Sequence, residues 1–139
     1  MTSFSDPFPD GDYQRLSEFR YALRRFLKFS EQAAMSEGLK PLEHQALLAI
    51  RGYQGGTVTI NVLAERLCIE PQESRKLVDT MVDYGWLITE KLPPDPKAVK
   101  LSLTEQSIER LVRLSLAHRR ELQHRGPEFL NLLGSLGSD

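Results

Sequence analysis

From Tyr13 onward the positions Leu16, Phe19, Leu23, Phe26, Ser30 and Ala33 follow one another in steps of three and four, with Leu27 and Ala34 widening the stripe. That period predicts a long amphipathic helix, which Gly38 should end. Residues 1–11 carry Ser, Thr, Pro and Gly without a hydrophobic period and read as a flexible arm. Leu39, Lys40 and Pro41 restart the chain, Pro41 being suited to a first helical position. Leu42, Ala46, Leu47, Ala49 and Ile50 then give a second helix that stops at Gly52.

Gly55 and Gly56 form a loop, and Thr57, Val58 and Thr59 are β-prone but long enough for only one ladder rung. Thr59 is also placed to cap a short third helix over residues 60–67, buried through Leu63, Ala64 and Leu67. Cys68, Ile69 and Glu70 separate it from a fourth helix that begins at Pro71. On that helix Ser74, Leu77, Val78 and Met81 share one face, whereas Gln72, Glu73, Arg75, Lys76 and Thr80 point elsewhere. Gly85 supplies the left-handed residue that ends it.

Beyond Gly85 the period shortens to that of a strand over residues 86–91. Pro93, Pro94, Asp95 and Pro96 interrupt it, and Val99, Leu101 and Leu103 then alternate with polar neighbours. This pattern is a β-hairpin with a proline-rich tip. Thr104 can cap a fifth helix through Leu111, Leu114 and Leu122, and Gly126 with Pro127 should divide it from an apolar sixth over residues 129–136. The fold class is therefore mainly α with a small β-hairpin wing. A winged helix-turn-helix spans about residues 39–104, flanked by helices from both termini at about 13–37 and 104–136, all within one domain over residues 12–136.

The chain has 139 residues, 40% hydrophobic and 27% charged, as expected of an ordinary globular protein. Its 18 Lys and Arg against 19 Asp and Glu leave a net charge of -1, so bulk charge does not mark a nucleic-acid binder and only a local basic surface could supply the attraction. Cys68 is the one cysteine, which excludes an internal disulfide framework. It reads as a structural thiol in the turn. His44, His118 and His124 lack the spacing of a helical metal pair, and no metal or cofactor is expected. There is no nucleophile elbow, glycine-rich phosphate loop or carboxylate pair tied to a histidine, so no catalytic residue is assigned. The N-terminus lacks the pattern of a secretory signal and no apolar run is bilayer-spanning; the expectation is a cytoplasmic protein with no membrane partner. Trp86 and Tyr84 read as packing residues at the helix-to-strand corner. Arg110, Arg113, Arg119, Arg120 and Arg125 read as a solvated face or a dimer-interface ion-pair network, with phosphate tracking as the sharper alternative.

Three segments resemble the MarR family of transcriptional regulators. Residues 59–67, Thr-Ile-Asn-Val-Leu-Ala-Glu-Arg-Leu, are similar to its pre-recognition helix. Residues 77–86, Leu-Val-Asp-Thr-Met-Val-Asp-Tyr-Gly-Trp, are similar to the end of its recognition helix, and residues 95–104, Asp-Pro-Lys-Ala-Val-Lys-Leu-Ser-Leu-Thr, to its wing. The resemblance implies a homodimer built by the terminal helices that binds double-stranded DNA at a pseudo-palindromic operator. The fourth helix would enter the major groove and the wing the minor groove. It also implies a repressor that responds to a small aromatic or phenolic ligand. The DNA-binding residues implied are Gln72, Glu73, Arg75, Lys76 and Thr80 on the fourth helix and Lys97 on the wing, with Arg75 as a base contact.

Two departures bear on that reading. The family wing carries Asp-x-Arg, where this chain has Asp95, Pro96 and Lys97; lysine keeps the charge but not the planar fork. Glu70 stands where a Ser or Asp cap is expected, and Glu70, Glu73, Asp79 and Asp83 against Arg75 and Lys76 make the segment acidic. The alternative is thus a winged-helix module for protein interaction or small-molecule sensing whose DNA binding is weakened or lost.

Overall fold

The computed structural model describes residues 3–137; the first two residues of the expected arm lie outside them. The element order is α1 (Asp10–Ser36), α2 (Pro41–Gly52), α3 (Ile60–Leu67), α4 (Pro71–Asp83), β1 (Leu87–Lys91), β2 (Val99–Leu103) and α5 (Glu105–Gly134). Two compact units emerge among the described residues, one from residues 3–30 with 117–137 and one from residues 31–116. None of the helices is long and apolar enough to cross a membrane, among the described residues.

The first unit joins the start of α1 to the end of α5. Helix α1 opens at Asp10, inside the segment read as an arm, because Asp10 and Asp12 place negative charge at the positive end of the helix dipole. Pro9 accepts from the Asp12 and Tyr13 N–H groups. Phe129 meets Phe19 and Phe26 edge-on at 5.8 and 6.5 Å. His118 lies edge-on to Phe26 and Phe29, with its Nε2 2.7 Å from Ser30 Oγ. These contacts account for one correction: α5 runs unbroken through Pro127, and no separate sixth helix exists. Pro127 faces solvent, so the carbonyl that loses its helical donor can be hydrated, and the Phe129 contacts hold the last turns in line.

The second unit encloses a core of Leu39, Leu47, Leu63, Val78, Met81, Leu87, Leu101 and Leu114, each no more than 2% exposed. Full burial of a side chain of this kind contributes about 1.5–3 kcal/mol. Helices α2, α3 and α4 and the hairpin share this core. Strands β1 and β2 pair antiparallel with Leu87 opposite Leu103 and Lys91 opposite Val99. The Leu101 N–H donates to the Val58 carbonyl at 2.9 Å, so the 57–59 segment contributes the single rung its length allows.

The helix boundaries follow their local chemistry. Gly38 and Gly85 adopt φ of +78° and +80°, ending α1 and α4. Thr59 Oγ1 accepts from the Val62 N–H at 3.3 Å. Thr104 and Ser107 cap α5 reciprocally: each side-chain oxygen accepts the other's backbone N–H, at 3.2 and 3.0 Å. Thr104 also donates its hydroxyl to the Gly85 carbonyl at 2.7 Å, which pins the end of α4 to the start of α5.

Two further expectations need correcting. Cys68 is exposed rather than packed, with φ of 56° in the left-handed region. It closes α3 through backbone geometry, its N–H reaching the Ala64 and Glu65 carbonyls. Tyr84 is 61% exposed; only Trp86 packs, at 7%. Its ring carries the Arg110 guanidinium 4.8 Å from the centroid, and Arg110 also donates to the Glu37 carbonyl.

Arg113 pairs with Glu37 at 2.8 Å and Arg125 with Glu121, so part of the basic α5 face is taken up by ion pairs made within the chain itself rather than across a dimer interface. The hydrogen bond from Arg113 holds the Glu37 carboxyl below the usual carboxylate range. The unfolded chain therefore protonates Glu37 before the native one does. The pair's stabilisation is fully present above the ordinary glutamate range and is lost as pH falls through that range towards the depressed native value. In urea titrations, Glu37→Gln should lower the midpoint near neutral pH, and the gap from the parent should close on acidification. A gap that widens in acid would contradict this. The effect should be small, since Arg113 is largely solvated.

Candidate nucleic-acid interface

The helix-turn-helix is fixed by one buried polar contact. Ser74, fully buried on α4, donates its hydroxyl to the Ile60 carbonyl of α3 at 2.8 Å. A larger side chain could not enter this position, and an alanine would lose the bond that ties α4 against α3. With Ser74, Val78 and Met81 turned inward, the helical period turns Gln72, Glu73, Arg75, Lys76 and Asp79 out to solvent. Thr80 is half-buried, and its hydroxyl donates back to the Lys76 carbonyl at 3.0 Å. It is the expected site residue least free to contact a ligand.

Glu70 caps α4 without a side-chain hydrogen bond, and Pro71 occupies the first helical position, where its missing N–H costs nothing. Glu73 lies in the first turn, so its charge favours the positive end of the helix dipole whatever the surface binds. This explains how an acidic residue is tolerated there without assigning it a role.

The wing tip is an Asx turn. Asp95 Oδ1 accepts the Lys97 backbone N–H at 2.9 Å, which fixes where the exposed Lys97 side chain leaves the chain. A depression of about 350 Å³ opens between wing, α3 and α4, lined by Thr59, Asn61, Arg75, Asp95 and Lys97 among others. A second of similar size on the α4 side is lined by Asn61, Pro71, Gln72, Arg75, Lys76 and Asp79. The fold therefore brings Gln72, Arg75, Lys76 and Lys97 to one surface. Glu73 and Thr80 line neither depression. Arg75, Lys76 and Lys97 enter no ion pair among the described residues.

Asn61 was missed in the sequence. The available signal was its place as a polar residue in the first turn of α3, off the face made by Leu63, Ala64 and Leu67. Its proximity to Arg75 and Lys97 is long-range and invisible to local pattern. Among the described residues no group of three or more His, Cys, Asp or Glu could hold a metal ion.

No family sequence model matches the chain, and no curated protein sequence matches it. Solved structures do. AbsC, a MarR family transcriptional regulator from Streptomyces coelicolor, is similar with a TM-score of 0.74 at 14% identity over 91% of this chain and 85% of AbsC. MarR from Staphylococcus aureus, in complex with salicylate and kanamycin, gives 0.70 at 19% identity over 84% of this chain and 76% of its own. A mutant of MepR from the same organism, bound to an oligodeoxyribonucleotide, gives 0.65 at 15% identity over 98% of this chain and 87% of its own. The winged helix-turn-helix with long flanking helices described above is thus the fold of the MarR family transcriptional regulators.

Proposed function

We propose that this chain is a sequence-specific DNA-binding transcriptional regulator, acting as a homodimeric repressor at a pseudo-palindromic operator. The observation that carries the reading is the convergence of Gln72, Arg75 and Lys76 on α4 with Lys97 on the wing, three of them cations without an ion-pair partner among the described residues. Unpaired cations on a helix and a hairpin set side by side match the electrostatic and steric demands of a duplex. The DNA-bound MepR mutant has the same fold and supports the reading. Self-association is supported by apolar side chains left in solvent on the terminal helices, Leu16 at 42%, Leu130 at 73% and Leu133 at 50% exposed. Such a protein would act in the cytoplasm, where the operator is, and a small aromatic acid is the effector class to test first, given the salicylate complex of the staphylococcal MarR.

The acidic residues Glu70, Glu73, Asp79 and Asp83 favour the second reading, an interaction module without DNA binding. Fluorescence anisotropy with a selected site and a random duplex at two salt concentrations separates the two. The regulator binds both, more weakly as salt rises and more tightly at the selected site. Absence of any salt-dependent binding leaves the interaction module. Glu73→Gln sharpens the result: tighter binding to every duplex means that Glu73 only repels phosphate, whereas a loss confined to the selected site means that it reads a cytosine amino group.

A further inference from the structure

The two depressions beside α4 are separated by a wall. Ile60, Asn61 and Arg75 line both; Asp95 and Lys97 belong to the wing side, and Gln72, Lys76 and Asp79 to the other. Resting on the DNA-binding reading above, we infer that the wing-side depression seats one backbone phosphate of the duplex, held jointly by Arg75 and Lys97. Arg75 is then a phosphate contact, and base discrimination falls to the other outward residues of α4, Gln72 and Lys76 among them.

The groups around the depression are those an oxyanion needs. Two cations from separate elements face it, and neither makes an ion pair among the described residues. Their mutual repulsion, which the single Asp95 charge offsets only in part, turns to attraction with a phosphate between them. The first turn of α3 forms a third side. Its Ile60 and Asn61 N–H groups have no acceptor within the helix, and the Asn61 side-chain amide adds two more donors. Thr59 Oγ1 accepts from the Val62 N–H, so its own proton is available to an anion. The one carboxylate at the rim, Asp95, is engaged by the Lys97 N–H. It acts as a positioning residue for Lys97 while its charge opposes the phosphate.

Because both cations serve one phosphate, they should not behave as independent contacts. Dissociation constants of the parent, Arg75→Ala, Lys97→Ala and the double variant, on selected and random duplexes over a salt series, test this; circular dichroism checks that each variant is folded. Each single change should weaken both duplexes alike, by about tenfold, and leave their affinity ratio unchanged. The double variant should lose less than the product of the two single losses, and its salt slope should fall by about one unit, the signature of one phosphate, rather than two. Arg75→Lys should retain the slope and the ratio. Asp95→Asn keeps the turn acceptor and removes the charge, so it should tighten both duplexes.

If Arg75→Ala erases preference at one base pair and spares the random duplex, Arg75 reads a base and the inference fails while the regulator reading stands. A slope loss of about two units in the double variant means two separate phosphates and equally overturns it. A parent that binds no duplex in a salt-dependent way defeats the regulator reading itself, and the inference with it.

Discussion

Trp86→Ala should cost the winged-helix unit about 3–5 kcal/mol, a large share of the roughly 5–15 kcal/mol that holds a typical domain folded. Trp86 is 7% exposed and immediately follows the glycine that ends α4. Its N–H donates to the Met81 carbonyl at 2.8 Å, and its ring is covered by Arg110 at 4.8 Å. Truncation would empty the corner where α4, β1 and α5 are joined. It would also strip the face from a guanidinium whose buried Nε has no hydrogen-bond partner among the described residues. Trp86→Phe keeps a ring for Arg110 to lie on and should recover more than half of the loss. Urea unfolding followed by far-ultraviolet circular dichroism measures both. A loss below about 1 kcal/mol in the alanine variant would show that the corner is not a principal support of the unit.

The second large effect concerns assembly. Leu130 and Leu133 are 73% and 50% exposed, so replacing both by Asp disturbs little that is packed within one chain. If these side chains meet a second copy, the double substitution buries charges in an apolar seam and should give a folded monomer by sedimentation. A monomer engages one half-site, and loss of the second engagement should weaken operator binding by about a hundredfold or more. A parent that is already monomeric at micromolar concentration, or a double variant that sediments and binds as the parent does, would remove the homodimer from the proposed function.

Much of the fold was legible because its boundaries are local. The glycines at 38 and 85, the threonines at 59 and 104 and the proline at 71 each act on their own turn of backbone, and each does in space what its chemistry predicts. The outward set on α4 was legible for the same reason, since burial of Ser74, Val78 and Met81 fixes the rest by period. What local reading could not supply was set by distant partners. A Gly-Pro pair usually ends a helix, but Phe19 and Phe26 come from the other end of the chain to hold Phe129 in register. Tyr84 and Trp86 look alike in sequence. They diverge because Tyr84 is the last residue before the turn made by Gly85, and only the residue beyond it enters the core. Cys68 takes a backbone conformation that glycine would be expected to fill. The meeting of Asn61, Arg75 and Lys97 depends on the wing folding back beside α3, which no spacing in the sequence encodes.

The wing tip has a consequence for how binding is driven. Between Leu92 and Ala98 three residues are proline, each with φ already restricted, and the Asx turn at Asp95 ties down the residue that carries the charge. On the DNA-binding reading proposed above, a loop with so few conformations to lose would surrender little freedom on entering a groove, and more of the attraction at Lys97 would survive as net affinity. Compared with a glycine-rich tip bearing the same lysine, this wing should associate with a less unfavourable conformational entropy. On the same reading, that rigidity would offset part of the difference between the flexible Lys97 stem and the planar guanidinium of the Asp-x-Arg wing that the resemblance implies.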